Sequence, residues 1–110
     1  MKVEIYQVDV DYDSDERNEF SFMHYDWIIK KHPNFNKEWK QYYKKIYDYD
    51  IDSNDSNTNI LEEVFRKFNR YDGNTDFPDD FKGHSLSVSD IVVLDDNIYF
   101  CDIFGWQELN

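Results

Sequence analysis

Apolar and polar residues alternate at the start of the chain. Val3, Ile5, Gln7, Asp9 and Asp11 fall on one side of an extended segment, and Glu4, Tyr6, Val8, Val10 and Tyr12 on the other. A period of two predicts a strand over residues 2–12. The first side turns acidic at its end, so the expected core face is the one carrying Tyr6, Val8 and Val10. Residues 13–19 are polar and read as a loop. From Phe22 to Lys31 the spacing becomes helical, with Met23, Trp27 and Ile28 as an apolar stripe. Lys30, Lys31 and His32 suit the negative end of that helix, and Pro33 stops it.

Residues 34–41 read as a connector with a helical turn. Tyr42 to Ile51 is tyrosine-rich and predicts a second strand. A polar loop over 52–59 supplies Thr58 or Asn59 as the cap of a helix over Ile60–Asn69, with Glu62 and Glu63 in its first turn. Leu61, Val64, Phe65 and Phe68 form that helix's apolar stripe. Residues 71–84 hold Gly73, Pro78 and Gly83 and read as a loop. Asp90–Leu94 and Ile98–Ile103 form a hairpin across Asp95-Asp96-Asn97, and Phe104-Gly105-Trp106 turns away from it. Strand, helix, strand, helix, hairpin predicts one α+β domain over 1–110: a small, mainly antiparallel sheet with two helices packed on it.

Composition adds a second theme. The 110 residues carry 12 basic and 24 acidic side chains, a formal charge of −12. Such a surface repels nucleic acid and anionic membrane and attracts basic grooves. Aromatic residues make up 19% of the chain and let a small core bury much area per residue. Alanine is absent while Asn, Lys, Asp, Tyr, Phe and Ile abound, which points to an AT-rich genome.

The acids are patterned. Aspartate recurs at every second residue in Val8-Asp9-Val10-Asp11-Tyr12-Asp13-Ser14-Asp15 and again in Tyr47-Asp48-Tyr49-Asp50-Ile51-Asp52. Alternate side chains of a strand stand roughly 6.5–7 Å apart on one face, a spacing comparable to that of successive phosphates. The candidate partner-binding residues are therefore Asp9, Asp11, Asp13, Asp15 and Glu16, with Asp48, Asp50, Asp52 and Asp55. Basic residues cluster instead over 30–45, at Lys30, Lys31, Lys37, Lys40, Lys44 and Lys45, so the charge is polarised.

Other chemistries fit less well. A calcium loop of the EF-hand type needs Gly at its sixth position and Glu at its twelfth. Counting from Asp9, Asp11 or Asp48 gives Ser14 and Phe20, Glu16 and Phe22, or Ser53 and Asn59. Cys101 is the lone cysteine, which removes disulfides and cysteine zinc sites, and its apolar neighbours suit packing. His24, His32 and His84 are scattered, and His84, Ser85 and Asp90 lie too close in sequence for triad geometry. No catalytic residue, metal or cofactor is expected. The opening residues Met1-Lys2-Val3-Glu4 lack a signal peptide's apolar stretch, and no run is as long as a membrane span. The expected location is the cytoplasm of a bacterial host.

Gly83-His84-Ser85-Leu86-Ser87-Val88-Ser89-Asp90-Ile91-Val92-Val93-Leu94, then Tyr99-Phe100-Cys101-Asp102 and Phe104-Gly105-Trp106, resembles the YodL-like domain family. That family runs "G-x-S-L-S-V-S-D-V-V", a hairpin, then "Y-Y-x-D-S-F-G-F". Phe22-Met23-His24-Tyr25-Asp26-Trp27 is similar to its "F-M-x-Y-D-W". Leu61-Glu62-Glu63-Val64-Phe65-Arg66-Lys67-Phe68-Asn69 is similar to its "L-E-x-V-F-x-x-F-N". Ile103 departs from a frequent Ser, and residues 52–57 and 70–78 look like acidic insertions. The resemblance implies a protein of conjugative elements, plasmids or phages that keeps company with anti-restriction and anti-CRISPR proteins. It supplies no catalytic residues. Ser85, Ser87 and Ser89 are expected to bond nearby backbone groups, and Asp90 to cap the start of the hairpin.

Together these readings describe a mobile-element accessory protein. It would inhibit a basic nucleic-acid-binding defence protein, with a CRISPR effector nuclease such as Cas9 first, by stoichiometric occupation of its groove. No direct DNA binding is expected, and the protein would be a monomer or a dimer. The alternative is an acidic antitoxin or immunity protein that plugs a basic toxin.

Overall fold

A computed structural model describes residues 1–9 and 20–110. The elements are β1 (Lys2–Val8), α1 (Tyr25–Lys31), α2 (Phe35–Glu38) running into a 3-10 turn (Trp39–Tyr42), β2 (Tyr43–Asp50), α3 (Asn57–Lys67), β3 (Ile91–Leu94), β4 (Asn97–Asp102) and β5 (Gly105–Glu108). The five strands form one antiparallel sheet in the order β2-β1-β3-β4-β5. The fold is α+β, as the order of elements predicts. The final residues are more ordered than the sequence suggests: Phe104-Gly105-Trp106 does not leave the hairpin but folds back as β5 along β4.

Both faces of the sheet are covered. On one, Val3, Ile5, Val92 and Leu94 pack against Ile60, Leu61, Val64 and Phe68 of α3 and its end. On the other, Ile91, Val93 and Phe100 pack against Ile28, Phe35, Trp39 and Tyr42. This corrects the assignment of a single core face to β1. Val3 and Ile5 are fully buried and Gln7 nearly so, while Tyr6 and Val8 are half-buried on the second face. Val10 lies outside the described residues. An alternating strand with two covered faces hides its pattern, because neither side needs to be polar.

Helix starts also differ from the expected ones. Phe22 adopts φ 62°, a left-handed backbone, so α1 cannot begin there. It begins after His24, whose Nδ1 accepts the Trp27 amide at 3.3 Å. The α3 cap is Ser56, whose Oγ accepts from the Asn59 amide at 3.2 Å, so neither Thr58 nor Asn59 caps it. Starting earlier moves Glu62 and Glu63 out of the first turn. Ile60 takes an inward position on α3, and Phe65 is exposed.

One irregularity in the β1–β2 pairing bears on the charges. Ile5 pairs with Tyr47 but Tyr6 pairs with Lys45, leaving Ile46 as an extra residue in β2. A bulge of this kind reverses the side-chain alternation beyond it. Ile46 and Tyr47 therefore both pack toward the α3 core. Lys45, which strict alternation would place beside Tyr47 and Tyr49, joins Glu4 and Asp48 on the opposite face.

Candidate functional site

The second aspartate ladder survives as a surface. Tyr47 and Tyr49 point into the α3 core while Asp48 and Asp50 are exposed on the other face of β2, as a period of two requires. Asp48 stands opposite Glu4, and Asp50 opposite Lys2. Two carboxylates directly across a ladder repel. Lys45 relieves this, with Nζ 3.0 Å from Asp48 and 3.6 Å from Glu4. The Lys45 ammonium holds the Asp48 carboxyl below its ordinary range. Asp52 and Asp55 follow in the exposed connection to α3, and Asp55 accepts a hydrogen bond from Asn59 Nδ2 at 3.2 Å.

The fold adds acids that the ladder did not suggest. The β3–β4 turn brings Asp95 and Asp96 to the same end of the sheet, where the Asp95 amide donates to Lys2 O and its carboxylate accepts from the Lys2 amide, at 2.9 and 2.8 Å. Glu4, Asp95 and Asp96 share a 190 Å³ cleft with Trp39, Lys40 and Ile98. The signal for Asp95 and Asp96 was their place in a hairpin turn. Only the pairing of β3 with β1, about 90 residues away along the chain, sets that turn beside Lys2.

Among the described residues the first ladder is represented by Asp9 alone, and it does not meet the second. Asp9 lies just past β1 at the far end, with its amide donating to Tyr42 O at 2.9 Å. Seven strand residues, about 23 Å, separate it from the end that carries Asp50. Asp11, Asp13, Asp15 and Glu16 lie outside the described residues.

That far end holds a second constellation, built from the serine-rich motif. Asp90 is almost completely buried, and its Oδ2 accepts from the Ser87 amide at 2.8 Å and from Gln7 Nε2 at 3.1 Å. Gln7, also buried, donates to His84 O at 2.9 Å. His84 is half exposed, with Nε2 3.8 Å from Asp90 Oδ1 and Nδ1 2.7 Å from Ser85 O. Burial pushes the Asp90 carboxyl up to about 8, against the pull of its two donors.

Only Ser87 makes the local bond that turn chemistry suggests; Ser85 and Ser89 bond backbone groups far away in sequence. Ser85 Oγ accepts from the Arg70 amide, Ser87 Oγ donates to Ser85 O, and Ser89 Oγ accepts from the Phe22 amide. Ser89 has φ 84° and its carbonyl accepts from the Tyr43 hydroxyl at 2.6 Å, so two left-handed residues, Phe22 and Ser89, are tied together and to β2. With Nδ1 against Ser85 O and Gln7 Nε2, the His84 imidazole turns Nε2 toward Asp90 and addresses no serine hydroxyl. This end is a brace; the acidic end is the open surface.

Cys101 is buried, and burial pushes its thiol up to about 12, in keeping with a packing role. Among the described residues, no group of His, Cys, Asp or Glu is arranged to hold a metal ion, and no helix is long and apolar enough to cross a membrane.

The YodL-like domain profile matches residues 2–110. The uncharacterized protein R785 of Acanthamoeba polyphaga mimivirus is 31% identical over 117 residues, which span 100% of this chain and 94% of that protein. No solved structure matches the chain. The relative is viral, which widens the mobile-element company beyond the bacterial elements that the resemblance implies.

Proposed function

The chain belongs to the YodL-like domain family, and on that premise we propose that it is an accessory protein that binds a basic nucleic-acid-binding protein stoichiometrically and without turnover. The contact surface is the acidic end of the sheet. One observation carries this reading: Asp48 and Asp50 on an exposed strand face converge with Glu4 from a second strand and with Asp95 and Asp96 from a turn. Carboxylates fixed on a rigid sheet meet guanidinium and ammonium groups without the cost of ordering a loop. Asp52 and Asp55 extend the surface toward α3. Lys2 and Lys45 temper its charge and would exchange partners on binding. Basic grooves that hold nucleic acid offer the complementary chemistry.

The target we put first is a guide-loaded CRISPR nuclease. The test is DNA cleavage by Cas9 with rising amounts of this protein, beside the quadruple variant Asp48→Asn, Asp50→Asn, Asp95→Asn, Asp96→Asn. Inhibition near equimolar protein that the variant loses, and that weakens as salt rises, supports the proposal. Equal inhibition by the variant would remove the acidic end from the mechanism. No inhibition at large excess would remove Cas9 as the target.

A further inference from the structure

The sheet has two edges, and they differ in how they are guarded. Edge strands expose unpaired backbone groups, and proteins blunt them with charges, bulges or covering elements. At one edge, β2 carries Lys44, Lys45, Asp48 and Asp50 and the bulge at Ile46. At the other, β5 reads Gly105-Trp106-Gln107-Glu108, with one charge and no bulge, and among the described residues no strand pairs beyond it. The Leu109 amide points to Ile98 O. By the alternation of an antiparallel ladder, the N–H and C=O groups of Trp106 and Glu108 point outward. The Glu108 carbonyl accepts from the exposed Gln107 side-chain amide, at 3.1 Å.

The turn into β5 is equally unguarded. Asp102 pairs with Gly105, leaving Ile103 and Phe104 as a two-residue tip, and Gly105 has φ 98°. Turn positions favour polar residues, yet Ile103 is 56% and Phe104 98% exposed. The tip is also held in place: Asp102 Oδ1 accepts from the Ile103 amide at 2.9 Å and from the Tyr25 amide at 3.1 Å. Beside it lies a 160 Å³ socket lined by Phe65, Cys101, Ile103 and Trp106 together with the acids Glu62 and Asp102. Projecting ring, receptive socket and open edge occupy one patch.

An open strand edge can be completed by a copy of itself under a two-fold axis. We infer that two copies of this chain associate through β5, pairing the two strands antiparallel into a continuous ten-stranded sheet and packing each Ile103–Phe104 tip on the other copy. The β2 edges and their acidic ends then lie at opposite extremes, free for another partner. Each copy carries a formal −12, so apolar burial drives this association against like-charge repulsion. It must therefore strengthen as salt rises, opposite in sign to binding through the acidic end. The contact is small, so the dissociation constant should be on the order of micromolar.

Sedimentation equilibrium of the full chain at increasing concentration, in low and high salt, tests this. The expected result is a mass rising from 13.5 kDa toward twice that, at lower concentration in high salt. Phe104→Ser should weaken dimerisation at least about tenfold. Glu108→Pro removes an outward N–H and should weaken it as much. Circular dichroism and a thermal melt would check that both variants remain folded. A monomer at several hundred micromolar in high salt overturns the proposal, as does a dimer unmoved by either substitution.

Discussion

The imidazole of His84 and the carboxyl of Asp90 face each other at 3.8 Å, one half exposed and the other buried. His84 Nδ1 lies 2.7 Å from Ser85 O and 3.3 Å from Gln7 Nε2, which leaves Nε2 as the ring nitrogen that faces Asp90. Asp90 is raised in the folded protein to about 8, principally by burial. A carboxyl whose folded value exceeds its unfolded value lends stability that is complete below the unfolded value and is lost as pH rises toward the folded one. The urea midpoint should therefore fall between pH 5 and pH 8 and level off above. Asp90→Asn, which keeps an acceptor for Ser87 and can donate to His84, should flatten this profile. A midpoint with the same pH dependence in wild type and variant would refute the assignment.

Gly83 is the point where the loop before the serine motif crosses β1 and β2. A methyl group there would overlap Gln7 Oε1 and come within 2.9 Å of Ile46 Cγ2. Gln7 cannot withdraw without abandoning Asp90 and His84. Gly83→Ala should cost about 1–3 kcal/mol, read as a drop in urea midpoint. An unchanged midpoint would mean that the loop shifts freely, and that Gln7 is not fixed by it.

The start of α3 rests on Ser56. Ser56→Ala removes the acceptor for the Asn59 amide and should cost about 1 kcal/mol. Ser56→Asp should retain most of the stability. Leu61→Ala, in the core beneath that helix, should cost about 2–5 kcal/mol through the cavity it leaves. Equal losses from the cap and core substitutions would show that the helix does not pack as described.

Cys101 offers a reporter. Its burial and its thiol value of about 12 leave almost no thiolate at neutral pH. Labelling by a thiol reagent should track unfolding, rising with urea in step with the loss of circular dichroism. Rapid labelling of the native protein would contradict the burial of β4.

Much of the fold was readable from local signals. Helical spacing in Leu61, Val64 and Phe68 and alternation in Tyr47, Asp48, Tyr49 and Asp50 needed no tertiary information. The errors fall where tertiary structure overrides local pattern. Phe22 is forced left-handed by its bond to Ser89, 67 residues away. The side of β1 that looked solvated is the more buried one, because Gln7 is satisfied by a loop the alternation cannot see. The bulge at Ile46 carries no glycine or proline to announce it. For the same reason the acidic end was only half visible: Asp48 and Asp50 mark themselves by spacing, while Glu4, Asp95 and Asp96 join them through strand pairing alone.

The position of β1 between β2 and β3 sets a timetable for folding. Its partners are residues 43–50 on one side and 91–94 on the other, so the sheet closes only after nearly the whole chain has emerged from the ribosome. Until then β1 and β2 form a two-stranded ribbon with one side unpaired, which is marginal by itself. Pairings this distant in sequence slow folding. A nascent chain arrested before residue 91 should stay open to proteases, because β3 decides whether β1 is protected.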